Sequence, residues 1–148
     1  MNHNTMPVRV TLWFNRVILA VLGVLVFAMP RMIYCYQQIR FLDNKSVFAV
    51  LIAFYCCVPL VVLALWKLDR LLRNILAGSV FVSENVHAIR TLRWCCLGVC
   101  LICLPAAFFY LPLVFMTVIM GFLSLVVNVV CQVMKAAVAI REENDLTV

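Results

Sequence analysis

Between Arg93 and Lys135 the chain runs for 41 residues, Trp94 to Met134, without one charged side chain. A single helix of that length would measure about 60 Å, roughly twice the hydrocarbon core of a bilayer, so two antiparallel spans are the economical solution. The fold-back falls near Tyr110, Leu111 and Pro112, which predicts a third span over 94–110 and a fourth over 113–134. The whole chain shares this character: of its 148 residues, 67% are hydrophobic and 12% charged, outside the usual range for a soluble fold. Four spans with short ends use up that length. The reading is therefore all-α, an integral membrane protein of four transmembrane helices in one domain, with the lipid bilayer as its solvent and no separate catalytic domain.

The first two spans follow from the same rule. The run from Val17 to Pro30 lies between Arg16 and Arg31 and falls short of the roughly 20 apolar residues that a crossing takes. Extending the helix over 13–34 restores the length if both arginines snorkel, and it sets Trp13 and Tyr34 at the two interfaces. No small-x-small cleavage site follows, so a cleaved signal peptide is not expected. The second span covers 47–66, uncharged throughout, with Pro59 predicting a local kink.

Beyond Trp66 the periodicity continues. Leu68, Leu71, Leu72, Ile75 and Leu76 recur at helical spacing while Lys67, Arg70, Arg73 and Asn74 take other faces, an amphipathic extension that Gly78 is placed to cap. After a link over 79–82, Ser83 is a candidate N-cap and Glu84 suits the positive end of a new helix that runs through Val86, Ile89 and Arg93 into the third span. Residues 67–93 thus form a helical hairpin between the second and third spans, and 135–148 form a tail. Arg9, Arg16, Lys67, Arg70, Arg73, Arg90, Arg93, Lys135 and Arg141 share one side of the membrane, against Arg31, Arg40 and Lys45 on the other. The positive-inside rule then puts both termini, the hairpin and the tail in the cytoplasm.

One stretch is more particular than a generic membrane pattern. It reads Leu68-Asp69-x-Leu71-Leu72-x-Asn74-Ile75-x-x-Gly78-x-Val80-Phe81-x-x-x-Asn85-Val86-x-x-x-Arg90, and Trp94-Cys95-Cys96 follows. The chain closes on Arg141-Glu142-Glu143-Asn144-Asp145-Leu146-Thr147-Val148. Together these motifs resemble the small bacterial membrane proteins grouped as domain of unknown function 2975, from about the first helix onward. The resemblance implies a four-span inner-membrane protein often encoded beside a small helix-turn-helix transcription regulator of the Cro/repressor type. It implies no reaction.

The residues themselves offer little chemistry. Histidine occurs only at His3 and His87, so a bis-histidine haem in the bundle has no ligands, and no cofactor is expected. Cys96, Cys100 and Cys103 share a helix face beside Cys95, and thiolates bind soft metals, but that segment carries no histidine or carboxylate to complete a site. Packing is their plainer reading, and neither a metal site nor a disulfide framework is expected. No catalytic serine and histidine, phosphate loop or paired interior carboxylates can be assembled, which predicts no enzyme. The basic residues are spread along the chain rather than clustered with aromatics, so direct nucleic-acid binding is not expected either.

Two surfaces are left. The hairpin residues Leu68, Leu71, Leu72, Asn74, Ile75, Gly78, Phe81, Asn85 and Arg90 form a candidate partner-binding face, against the alternative that the apolar stripe packs within the bundle or lies on lipid headgroups. The tail residues Glu142, Glu143, Asn144 and Asp145 either close onto the hairpin's arginines or meet the same partner. In the fourth span, Ser124 and Asn128 fall on one helix face and suit interhelical hydrogen bonds. The expected function is non-enzymatic protein contact, such as membrane sequestration of the helix-turn-helix regulator. The alternative is a small oligomeric transporter, channel or toxin-immunity protein that works through its intramembrane surface.

Overall fold

A computed structural model describes residues 6–40, 43–78 and 83–146. They form four helices in an up-down-up-down order: α1 (Met6–Arg40), α2 (Asn44–Leu76), α3 (Ser83–Ala107) and α4 (Pro112–Leu146). All four are long and apolar enough to cross a membrane, as a multi-pass membrane protein requires. At 1.5 Å per residue α1 and α4 are about 52 Å long, well beyond a hydrocarbon thickness of about 30 Å. Both exceed the spans expected for them, and α4 carries the tail segment as helix up to Leu146. The helices pack in chain order, α1 on α2, α2 on α3 and α3 on α4.

The helix ends follow from local chemistry. Asp43 starts α2, its carbonyl taking the Ser46 and Val47 amides at 3.0 and 3.2 Å. Gly78 ends it at φ +81°, a left-handed conformation that costs glycine least, and its amide returns to the Ile75 carbonyl at 3.1 Å. The new helix begins at Ser83 with Glu84 in its first turn. Helix continues through Pro30, Pro59 and Pro105. Proline removes one backbone donor, so Pro30 leaves the Val26 carbonyl without its usual amide. The Tyr55 hydroxyl of α2 donates to that carbonyl at 3.0 Å and ties α1 to its neighbour.

Cross-links between helices fix the register. Asn15 Nδ2 donates to the Leu65 carbonyl at 3.0 Å, Asn74 Nδ2 to Asn85 Oδ1 at 2.9 Å, and Arg93 Nη1 to Asn128 Oδ1 at 2.7 Å. Counting from these pairs, Trp13 on α1, Trp66 on α2 and Trp94 on α3 stand at one level. All three are exposed, at 69, 64 and 58%. Indole rings collect at membrane–water boundaries, which makes this level the candidate for one face of the bilayer. At the far end, Ser46 Oγ donates to the Phe109 carbonyl at 2.9 Å, and Tyr36 and Tyr110 meet through their hydroxyls at 3.5 Å.

The level of the tryptophans divides the molecule. On the side of the termini, Val86, Ile89, Cys131 and Val138 form the buried core cluster, with Leu71, Val127 and Met134 packed against it. This knob is built from the end of α2, the start of α3 and the C-terminal half of α4. On the other side lies the membrane section, where Phe27, Phe108, Phe115 and Phe122 stand exposed at 88, 86, 71 and 67% for lipid to cover.

Candidate functional site

The polar residues of the knob are held by one another. Asn85 is fully buried, at 0% exposure, and accepts the Asn74 amide across the turn. A buried amide oxygen without a donor is costly, so this bond locks the α2–α3 hairpin rather than offering a free recognition group. Arg70 and Glu84 add an ion pair of 2.5 Å outside it, both partners about half exposed, a contact of small energetic weight. Asp69 sits at the inner margin of the knob, with Oδ2 on Arg73 Nε at 2.8 Å and Oδ1 3.5 Å from Arg16 Nε of α1.

The α3–α4 seam is tied in the same manner. Arg93 gives Nη1 to Asn128, lays its guanidinium over Trp94 at 5.2 Å, and accepts the Ser124 hydroxyl on its backbone carbonyl at 3.4 Å. Ser124 and Asn128 therefore serve one arginine of α3, with Ser124 buried at 5%. Asn128 gives the cation an acceptor at the tryptophan level, where a charge entering lipid needs one.

The other residues singled out in the sequence are placed as follows. Leu72 is buried, while Leu68, Leu71, Asn74 and Ile75 are half-buried, so the apolar stripe of α2 lies largely inside the protein. Gly78 and Arg90 are exposed. Phe81 lies outside the described residues, as do the side chains of Glu142 and Asp145; Glu143 and Asn144 are exposed on the last turns of α4. Cys95 and Cys103 are buried, Cys96 and Cys100 half-buried, and Cys100 donates weakly to the Thr117 carbonyl at 3.4 Å. Among the described residues no three His, Cys, Asp or Glu side chains group as a metal site.

What the sequence reading missed lies on α4. Val129, Val133 and Ile140 are exposed at 61, 63 and 67%, and with Ala136 they fall within one narrow arc of the helix. Counted at about 100° per residue, Lys135 and Arg141, both exposed, stand well round the helix toward the core face, and the exposed Glu143 is the charged residue next to the arc. The opposite face of the same helix holds the core residues Cys131 and Val138. The signal was present as a largely apolar composition from Val126 to Val138, interrupted by Asn128, Gln132 and Lys135, but its two faces separate only once the core face is known.

These motif residues, from Asp69 to Asn144, fall within one family match: the description "protein of unknown function (DUF2975)" covers residues 12–148. The chain belongs to that family. The matched stretch takes in α1 from Leu12 and the other three helices whole, so the hairpin lock, the Arg93 seam and the helical end of α4 all lie within the family domain. No curated protein and no solved structure matches the chain.

Proposed function

We propose that the protein works by contact rather than by catalysis, its knob holding a small helix-turn-helix transcription regulator at the cytoplasmic face of a bacterial inner membrane. The observation that carries this reading is the pair Val133 and Ile140 on one face of α4, exposed at 63 and 67% beyond the tryptophan level. Apolar surface beyond the tryptophan level faces water, where its burial is favourable at about 25 cal/mol per Å². Lys135 and Arg141, exposed elsewhere on the same helix, would steer a partner that carries carboxylates and speed its docking. The exposed Arg90 of the hairpin adds a further positive charge to the knob. The transporter, channel or immunity alternative is less favoured because Ser124 and Asn128 are engaged within the chain by Arg93.

Co-purification of the full chain from native membranes tests the proposal. The expected result is a helix-turn-helix protein retained by the wild type and lost with Val133→Glu or Ile140→Glu, together with changed transcription of the regulator's targets. Recovery of no such partner, with transcription indifferent to both substitutions, would refute it.

A further inference from the structure

A groove of about 360 Å³ opens between α1 and α2 at the tryptophan level, where lipid headgroups lie. Asn15, Arg16, Asp69 and Arg73 line its polar part, while Leu19 and Val62 continue it toward the membrane interior beside Trp66. Polar lining at headgroup depth with apolar lining below it is the outline of one phospholipid.

The hydrogen bonding of the groove is incomplete in a particular way. Asn15 is only 4% exposed; its amide donates to the Leu65 carbonyl, and its Oδ1 has no donor. Asp69 Oδ2 is taken by Arg73, but Oδ1 stands 3.5 Å from Arg16 Nε without a hydrogen bond. Buried acceptors are nearly always satisfied, so two of them on adjacent helices lining one groove call for a donor that the protein does not supply. Beside them are two guanidiniums, 56 and 60% exposed, each with donors to spare.

We propose that this groove binds phosphatidylethanolamine. The phosphate lies between Arg16 and Arg73, the primary ammonium donates to Asp69 Oδ1 and Asn15 Oδ1, and an acyl chain follows Leu19 and Val62. Both acceptors are covered in the lipid-free protein, and the ammonium reaches them as Arg16 turns outward to the phosphate. Little is lost in that exchange, because the present contact of Arg16 with Asp69 is long and not hydrogen-bonded. Phosphatidylglycerol would supply the phosphate without a cationic donor, and phosphatidylcholine the cation without an N–H. The site is independent of whether a regulator docks on α4.

The test is native mass spectrometry of the full chain in detergent, offered phosphatidylethanolamine, its mono- and dimethyl derivatives, phosphatidylcholine and phosphatidylglycerol with equal acyl chains. Affinity should fall as methyl groups replace the N–H donors, leaving phosphatidylcholine about ten-fold weaker than phosphatidylethanolamine. Asp69→Asn keeps the side chain's shape and should lower phosphatidylethanolamine to the phosphatidylcholine level without affecting the latter. Equal retention of the two zwitterionic lipids, preference for phosphatidylglycerol, or no lipid retained at all would overturn the proposal. Should Asp69→Asn fail to fold, the methylation series on the wild-type chain decides alone.

Discussion

The knob and the membrane section are built from the same helices, yet they are stabilised by opposite arrangements. In the knob the large apolar side chains of α2 and α3 turn inward, and the buried cluster of Val86, Ile89, Cys131 and Val138 forms there. Beyond the tryptophans, toward the far end, phenylalanines and valines stand outward in numbers that water would not tolerate. The reason is the solvent. With the knob outside the bilayer, as proposed above, water would drive apolar groups together there, whereas lipid tails are as apolar as the side chains and leave close packing and interhelical hydrogen bonds to hold the spans. Position in the bundle adds to this: 28% of the most apolar stretch of α3, which packs on both α2 and α4, is buried within the protein, against 6% for the outer helices α1 and α4. The difference teaches that exposure has to be interpreted against the local solvent. An exposed Phe122 is ordinary, while an exposed Ile140 is a candidate contact.

Substitutions can break that comparison, and the largest effect is expected in the knob. Ile89→Asp puts a charge into the core cluster without a partner and should cost about 3–5 kcal/mol. The readout is thermal unfolding in mild detergent, where a midpoint unchanged from wild type would mean that the knob is not a folded core. The next largest effect belongs to the seam between the two regions. Asn128→Leu deprives Arg93 of its acceptor at the edge of the lipid and should destabilise by about 1.5–3 kcal/mol, the range for a hydrogen bond to a charged group. If Asn128 instead serves transport, the variant would keep its stability and lose a flux measured in proteoliposomes.

The hairpin lock gives a sharper test than a single deletion. Asn85→Leu strands the Asn74 amide and should lower stability by about 1–3 kcal/mol. The double variant Asn74→Leu, Asn85→Leu should recover part of that loss, because the Asn74 amide is no longer left without its acceptor. Purely additive losses in a double-mutant cycle would show that the two residues do not act as a pair. The smallest contrast compares cavity formation inside with truncation outside: Val99→Ala in α3, buried at 7%, should cost about 1–2 kcal/mol, and Val24→Ala in α1, exposed at 69%, within about 0.5. Equal costs in unfolding assays would mean that α1 is covered by something besides lipid.

Much of the fold was legible before any tertiary contact. The uncharged run from Trp94 to Met134, the continuation of helix from Trp66 through the leucine stripe, the turn at Gly78 and the new start at Ser83 all depend on local preferences or on segment length. The site was legible only in part. Asn74 and Asn85 stood out as motif residues, but their being partners depends on how the hairpin closes. The stripe on α2 was visible as amphipathic, and its periodicity alone could not say whether protein or a partner covers it. Here α3 and α4 cover most of it, and the open stripe is on α4, where composition offered no contrast between faces.

By itself, then, the sequence determined four membrane-length helices, where they break, and which segment carries charge, because solvation of the backbone in lipid admits few other arrangements for such a chain. Only the tertiary structure decided the register that levels Trp13, Trp66 and Trp94, the pairing of Arg93 with Asn128, and the groove where Asn15 and Asp69 are left short of donors. Those features depend on rotation and translation of one helix against another. Side chains far apart in the chain fix both, and periodicity along a single helix does not.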